Sequence, residues 1–293
     1  MRRLTRIVAI IPVLILLGAC STLPNADGVA RFGKAVTAST TVMEDAIALS
    51  ARIQMLDEAE IHAQSFVRGG PVALSVGTVP LLPKEQIELR LQLLSALGGY
   101  GKALADAADN GNVAKLEAAA AKLGGAATSL AAVLSPTTAP IAGPAIRLVS
   151  RGVGILLGNA YAAEIQAVIS ARDADVKQAA TLLRRSLGTV RSVLRRQHAV
   201  FTDSRSDSLS LIRGDRRIDR LRAYDEWRRA RQEVAEISAA LAAVDRYDQV
   251  LTALEDSHHA LATGKPDGEQ LLRRFVDLSD DIAALATAIR RTP

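Results

Sequence analysis

The side chains best suited to bind a metal are four histidines and one cysteine: His62, His198, His258, His259 and Cys20. Helical zinc sites place two histidines one turn apart, with three residues between them, and no pair in this sequence has that spacing. On a regular helix the adjacent His258 and His259 point to different faces, so they are not expected to share one ion. We therefore predict no metal site and interpret His258 as a helix-interface residue whose polar atoms are satisfied.

Motifs for nucleophilic catalysis and phosphate binding are also missing. The sequence has no serine in a Gly-x-Ser-x-Gly turn, and the glycines at 152, 154 and 158 do not have the spacing of a dinucleotide-binding loop. Acidic neighbours such as Glu44 and Asp45, or Asp280 and Asp281, splay apart on a helix and do not form an acid/base pair. The sequence thus predicts neither catalytic residues nor a cofactor, and favours a protein that is not an enzyme.

Residues 1–19 have the organisation of a secretory signal peptide. Three arginines precede an apolar run from Ile7 to Leu17, and the small residues Gly18 and Ala19 follow it. A helix that stays in the bilayer needs roughly 20 apolar residues, and this run is shorter. We expect export and removal of residues 1–19.

The tetrad Leu17-Gly18-Ala19-Cys20 resembles the lipobox of bacterial lipoproteins. The resemblance implies that the Cys20 thiol takes a diacylglycerol and that cleavage exposes its amine for a further acyl chain such as palmitate. Cys20 is the only cysteine, which fits lipidation and leaves no internal disulfide. Ser21 stands where an aspartate commonly signals inner-membrane retention, which points to the outer membrane, facing the periplasm. The alternative is a secreted protein with an incidental cysteine.

Length and charge bound the mature chain. Of 293 residues, 274 remain after position 19, with 33 basic and 31 acidic side chains, so the net charge falls from +5 to +2. Nucleic acid is not an expected partner, because its binding needs a concentrated basic surface. Residues 20–25 form a tether that, at about 3.3 Å per residue, keeps the folded part close to the bilayer.

The mature sequence predicts an all-α fold, an elongated antiparallel helical bundle with coiled-coil-like packing. Ala, Leu, Arg and Glu are abundant, and apolar residues recur at alternating spacings of four and three rather than every second position. One seam of this kind contains Val176, Ala180, Leu183, Leu187, Val190, Leu194, Gln197 and Phe201. A second contains Val234, Ile237, Leu241 and Val244, and continues through Tyr247, Leu251, Leu254, His258 and Leu261.

Glycine and proline divide the chain into six or so helices. We divide the mature chain into an N-terminal helical region, 26–134, and a C-terminal region with long helices, 135–293. We interpret residues 69–83 as a loop. The expected breaks lie at 68–71, 79–83, 110–112, 135–144, 213–215 and 263–266.

The two regions align as a pair of helical hairpins. Leu94, Leu97, Tyr100 and Leu104 match Leu241, Val244, Tyr247 and Leu251 at an offset of 147. Leu116, Leu123, Leu130 and Leu134 match Leu271, Leu278, Leu285 and Ile289 at an offset of 155. This pattern is typical of a duplicated hairpin, but two unrelated leucine-rich hairpins align equally well.

A basic stretch suggests an anionic partner. Residues 184–231 contain 14 arginines and no lysine, against six acids. Arginine suits phosphate and carboxylate groups, so anionic lipid, lipopolysaccharide or another envelope protein are candidate partners. The alternative is that these arginines pair with acids of neighbouring helices. The proposed patch is Arg184, Arg185, Arg191, Arg195, Arg196, Arg216, Arg217 and Arg220.

We expect a lipid-anchored periplasmic protein that acts as a structural or interaction component of the cell envelope. A first alternative is a ligand- or peptide-binding module with a cleft lined by Tyr100 and Tyr247. A second is a membrane-active protein that uses the apolar segment 139–169, although a helix that is apolar all round is more typical of a buried one.

Overall fold

The structure is a computed structural model that describes residues 26–71, 83–134, 159–215 and 218–290. Within these ranges the chain forms seven helices and no strand, which confirms the all-α prediction. The helices are α1 Ala26–Val67, α2 Lys84–Asn110, α3 Val113–Leu134, α4 Asn159–Ala171, α5 Asp173–Gly214, α6 Arg220–Thr263 and α7 Gly268–Arg290.

Three long helices run the length of the molecule. Helices α1, α5 and α6 have 42, 42 and 44 residues, and each is therefore about 65 Å long. Helices α1 and α5 are parallel, and α6 is antiparallel to both. The contacts that fix these directions are Ser50–Gln197 and Gln64–Ser208 between α1 and α5, and Arg184–Glu255 and Arg205–Glu233 between α5 and α6.

Helix α2 lies antiparallel against α1 at very short range. A Cβ atom at Gly33 would lie 2.2 Å from the carbonyl oxygen of Gly101, and one at Gly101 would lie 2.7 Å from the carbonyl oxygen of Gly33. Only glycine allows this approach of two backbones. The hydroxyl of Thr37 donates to the carbonyl of Gly98 at 3.1 Å, which adds a polar contact beside the crossing.

Helix α7 packs against the same part of α1, in parallel orientation. The rings of Phe32 and Phe275 lie 5.1 Å apart near the start of both helices. At the far end of α7, Arg290 Nε donates to Asp45 at 2.6 Å. The short helices therefore surround the part of the long helices that lies nearer Ala26.

Beyond this part, the helices that the structure describes are the three long ones. From the Gly33–Gly101 crossing, α2 extends 17 residues back to Lys84 and thus begins level with about residue 50 of α1. We call residues 52–71, 197–215 and 218–238 the stalk, and the other described residues the body. The tip is the end of the stalk where α1 and α5 finish and α6 begins.

The body has a continuous apolar core. All eight residues of the α5 seam are buried, as predicted, and in the second seam only Val234 and Leu241 are half-buried. The core contains residues from both predicted regions, 26–134 and 135–293, so the boundary between them does not separate two cores.

The interior of the stalk contains polar side chains beside apolar ones. Arg205 lies over the ring of Phe201, 5.3 Å from its centroid, and bonds to acids on both neighbouring helices. Further polar contacts between the three helices follow one another along the stalk, and a different set of residues forms each of them. They are Arg52–Glu236, Ser204–Asp57, Arg205–Glu60, Arg205–Glu233 and Gln64–Ser208.

Three predicted breaks end helices on glycine. Gly69, Gly111 and Gly264 have φ of 86°, 69° and 65°, the left-handed region in which glycine has no steric penalty. The break between α4 and α5 was not predicted, since the chain turns at Arg172 (φ −110°, ψ 6°) without glycine or proline.

The predicted repeat stays a prediction. Both halves contain a hairpin joined by a left-handed glycine, Gly111 and Gly264. In α7, however, Leu271, Leu278 and Leu285 are half-buried, whereas their proposed counterparts Leu116, Leu123 and Leu130 are buried. The residues that α7 buries are Leu272, Phe275, Ser279, Ile282, Ala286 and Ile289.

Several sequence predictions lie outside the described residues: the signal peptide, the lipobox and Cys20, residues 72–82 of the predicted loop, residues 139–158 of the apolar segment, and Arg216 and Arg217. Of the remainder of the apolar segment, Ile165, Val168 and Ile169 in α4 are buried. None of the helices in the described ranges has the length and hydropathy needed to cross a membrane.

Candidate functional site

The arginines on the first half of α5 bind acids of α6. Arg184 pairs with Glu255 at 2.6 Å. Arg191 lies 2.8 Å from Asp245, and Arg195 pairs with the same carboxylate at 3.0 Å. The sequence left open whether these arginines bind an external anionic partner or form ion pairs with acids of neighbouring helices. Arg184, Arg191 and Arg195 do the latter. These three residues of the proposed patch therefore contribute to helix packing.

The other described members of the patch lie at two places, on α5 and at the start of α6. Arg185 and Arg196 are exposed on α5, and neither has an ion pair with a described residue. Arg220 is exposed at the first residue of α6, at the tip. Among the members that the structure describes, Arg220 therefore belongs to a different environment from Arg185 and Arg196.

Tyr100 and Tyr247 lie in the core and do not line a cleft. Their side chains are 0% and 1% exposed. Burial raises the pKa of both phenols, so both stay protonated. A cleft between the two hairpins at these tyrosines is therefore wrong, because the space is filled by the packed helices around them.

Tyr100 instead belongs to a buried hydrogen-bonded network. Its hydroxyl lies 2.9 Å from Nε2 of His258, and Nδ1 of His258 lies 2.9 Å from Asp173. A neutral His258 satisfies every partner when Nδ1 donates to the carboxylate and Nε2 accepts from the phenol. The hydrogen bond from His258 lowers the pKa of Asp173 to about 2. The network joins α2, α5 and α6, and the interface role predicted for His258 is confirmed.

The neighbouring His259 contacts the same carboxylate as His258. Its Nδ1 lies 2.8 Å from the second carboxylate oxygen of Asp173. Two adjacent histidines thus reach one carboxylate, although they leave α6 in different directions, because Asp173 at the start of α5 presents one oxygen to each. Among the described residues no cluster of His, Cys, Asp or Glu is suited to hold a metal.

An open groove of about 810 Å³ lies on the body between α1, α2 and α7. Two of its basic residues are already paired, Lys102 with Asp106 at 3.0 Å and Arg290 with Asp45 at 2.6 Å. Its floor is made of small side chains, which leaves room for an elongated ligand. They include Thr37, Ala38, Thr41, Ala105, Ala283 and Ala286.

The stalk carries most of the exposed apolar surface. Nine of the ten large apolar side chains that the described residues expose lie on it, and Val133 of α3 is the tenth. The tip has the most exposed of them, with Val67 at 69% and Leu221 at 66%. The nine are Met55, Ile61, Phe66, Val67, Val200, Leu211, Leu221, Tyr224 and Trp227.

Aromatic and arginine side chains alternate in the first turns of α6. Tyr224 and Trp227 stack with their ring centroids 6.1 Å apart, and the Arg231 guanidinium lies 5.5 Å from the centre of the Trp227 ring. Trp227 is the only tryptophan of the chain. Sequence reasoning missed this cluster, although a tyrosine and a tryptophan three residues apart among arginines were a readable signal.

No family model matches this chain, and no curated protein or solved structure is similar to it.

The tip is therefore the candidate interaction surface, because of the side chains that it exposes. Large apolar groups exposed together usually mark a binding surface. Here they lie among arginines that have no ion pair with a described residue, at the end of the molecule farthest from Ala26. These arginines are Arg213, Arg220, Arg222 and Arg228.

Proposed function

We propose that this protein is a lipid-anchored spacer of the bacterial cell envelope that presents an interaction surface at a fixed distance from the anchoring membrane. The observation that carries the proposal is the continuous helix α1. It begins at Ala26, six residues after Cys20, and ends at Val67 at the tip. Its 42 residues give a separation of about 63 Å.

The anchor is proposed from the resemblance to a lipobox. Acylation of Cys20 holds the chain to a bilayer, and Ser21 favours the outer membrane, facing the periplasm. Because residues 20–25 are few, the body lies close to that bilayer. The stalk then extends into the periplasm, and the tip meets the partner.

The protein acts through its surfaces rather than by catalysis. Its most enzyme-like group, Tyr100–His258–Asp173, has Tyr100 and His258 fully buried, so a substrate has no access to them. The network instead fixes α5 and α6, the two helices that form the stalk with α1. A protein with a buried network that holds its helices together and an exposed surface for a partner suits a structural or interaction role in the envelope.

Lipid labelling tests the anchor. We expect wild-type cells to incorporate labelled palmitate into this protein, and Cys20→Ala to abolish the label and release the protein from the membrane fraction. Since Cys20 is the only cysteine, labelling of the variant would contradict the proposal. Ser21→Asp is the matched variant for sorting, and it is expected to shift the protein toward the inner-membrane fraction.

Crosslinking in intact cells tests the interaction surface. A photoreactive residue at Tyr224, which is 55% exposed at the tip, is expected to give adducts with protein or lipid. The same residue at Lys122, exposed on α3 of the body, is the control. Equal adduct formation at both positions, or none at Tyr224, would argue against a tip-directed interaction.

A second candidate function is ligand binding in the groove between α1, α2 and α7, which its volume of about 810 Å³ favours. Ala283 is half-buried in the floor, and Ala283→Leu would fill part of the space. If the groove binds a ligand from an envelope extract, this variant is expected to bind less. Ala284→Leu, at an exposed neighbouring position, is the control.

A further inference from the structure

We infer that the tip docks on an anionic phospholipid bilayer, which is a second membrane contact in addition to the lipid anchor. The inference rests on the proposed function, because it names the partner of the surface that the stalk presents. It is carried by the juxtaposition of exposed aromatic residues and unpaired arginines where α6 begins.

The apolar residues have the composition of a membrane interface. Leu221, Tyr224 and Trp227 lie one turn apart in sequence along the start of α6, and they are 66%, 55% and 45% exposed. Tryptophan and tyrosine are enriched at the level of lipid headgroups, since their rings are apolar and each has one polar atom that stays in contact with water. A leucine beside them provides a purely apolar contact with the acyl boundary.

The charge at the tip fits an anionic surface. Described residues at this end include seven arginines, Arg68, Arg213, Arg220, Arg222, Arg228, Arg229 and Arg231, against five acids, Asp207, Asp215, Asp219, Asp225 and Glu226. Arg229 pairs with Glu226 at 3.2 Å. Arg68 and Arg213 lie at the ends of α1 and α5, where a cation complements the helix dipole.

The remaining arginines are free to meet a ligand. Arg220, Arg222 and Arg228 are exposed in the same turns of α6 as the aromatic residues, and no ion pair joins them to a described residue. A guanidinium binds phosphate through two parallel hydrogen bonds, which suits the headgroups of phospholipids. The long aliphatic stems also allow the charge to reach the headgroups while the aromatic rings lie deeper.

The arrangement of the side chains at this end favours a bilayer over an acidic protein. The groove found in the described residues lies on the body, between α1, α2 and α7. At the tip, exposed apolar residues and exposed arginines are interspersed along the first turns of α6, from Arg220 to Arg228. A bilayer surface accommodates such an end, whereas a tight protein interface has an apolar centre from which charges are depleted.

Vesicle binding by the non-lipidated mature chain tests this inference separately from the anchor. The chain carries Cys20→Ser, and the vesicles are phosphatidylcholine with and without phosphatidylglycerol. We expect flotation with the anionic vesicles only, and a blue shift of the fluorescence of Trp227, the single tryptophan. Equal binding to both vesicles, or binding without a blue shift, would overturn the inference.

Charge reversal locates the contact. Arg220→Glu, Arg222→Glu and Arg228→Glu together are expected to weaken binding by about a hundredfold or more, because each basic residue near an anionic surface contributes about a fivefold step. The matched control is Arg185→Glu with Arg196→Glu, which alters exposed arginines of α5 outside the tip. Loss of binding in the control to the same extent would overturn the inference.

A second variant separates binding from folding. Leu221→Ser with Tyr224→Ser changes only exposed side chains, and we expect an unchanged thermal unfolding midpoint with loss of the Trp227 blue shift. Retention of the blue shift would contradict docking by the tip. If tip crosslinks yield an acidic envelope protein and vesicles do not bind, the inference fails while the anchored spacer stands.

Discussion

The phenol oxygen of Tyr100 and Nε2 of His258 lie 2.9 Å apart in the core, where both side chains are fully buried. Residues 158 positions apart in the chain thus complete each other's hydrogen bonding. The contact joins α2 of the body to α6, which continues into the stalk.

Tyr100→Phe is expected to lower the free energy of unfolding by about 1–3 kcal/mol, because it leaves Nε2 of His258 buried without a partner. Urea unfolding followed by circular dichroism measures the change. Tyr224→Phe removes the same atom at an exposed position and is expected to change stability by less than about 0.5 kcal/mol. Equal effects of the two changes would show that the buried contact contributes nothing specific.

Stability is expected to fall in acid partly through Asp173. Its pKa is about 2 in the folded protein, chiefly because His258 donates a hydrogen bond to it, against 3.8 for a free carboxyl group. A depressed folded pKa stabilises the fold above the unfolded pKa, and this contribution is lost as pH falls from about 4 to 2. Asp173→Asn should flatten that part of the stability profile. An unchanged profile would contradict this assignment.

Two glycines of the same helix pair are expected to respond in opposite directions to alanine. Gly33→Ala places a methyl group against the Gly101 carbonyl and should destabilise the protein by about 1–3 kcal/mol. Gly99→Ala meets no atom within 4 Å and should stabilise α2 by about 0.5–1 kcal/mol. Thermal melts of both variants give the sign, and destabilisation by both would argue against the close crossing.

The stability of the stalk is expected to depend more on the ion pairs of Arg205 than on the exposed ion pairs of α5. Arg205 bridges Glu60 and Glu233 at 2.6 Å each and is 19% exposed. Arg205→Met should destabilise the stalk by about 2 kcal/mol, because it leaves two acids without their partner. Arg195→Met, at a 60% exposed residue, should cost less than about 1 kcal/mol. Hydrogen exchange of the backbone amides of the stalk measures both effects, and we expect faster exchange in Arg205→Met than in Arg195→Met.

Arg90 is a buried cation whose replacement is expected to stabilise the protein. Its side chain is 2% exposed, it donates to the carbonyl of Gln86 at 2.6 Å, and no ion pair joins it to a described residue. Burial lowers its pKa. Arg90→Met keeps much of the volume and removes the buried charge, so stability should rise by about 1 kcal/mol or more. A loss of stability would mean that the guanidinium has an anionic partner.

The helical class and the α5 seam were predictable, because a four-three repeat of apolar residues from Val176 to Phe201 depends only on helix geometry. The break at Arg172 was not, since neither glycine nor proline marks it. Contacts such as Asp173 with His258 and His259 join distant parts of the chain, and no local pattern specifies which carboxylate lies opposite.

The interaction surface was predictable only in part. The arginine content of residues 184–231 was visible in the sequence. Which arginines are paired depends on the register of α5 against α6, and this register separates Arg184 and Arg191 from Arg220. The exposure of Trp227 was equally hidden, because an apolar residue on a helix is normally assigned to the core until its neighbours are known.

The ion pairs between the helices of the stalk have a mechanical consequence. A pull along the long axis loads the ion pairs of Arg205 and Arg52 in shear, so that several levels must slide together before the helices part. A sideways pull at the tip loads the same levels one after another, beginning where α6 starts. The stalk therefore withstands stretching between its ends better than prying apart at its end.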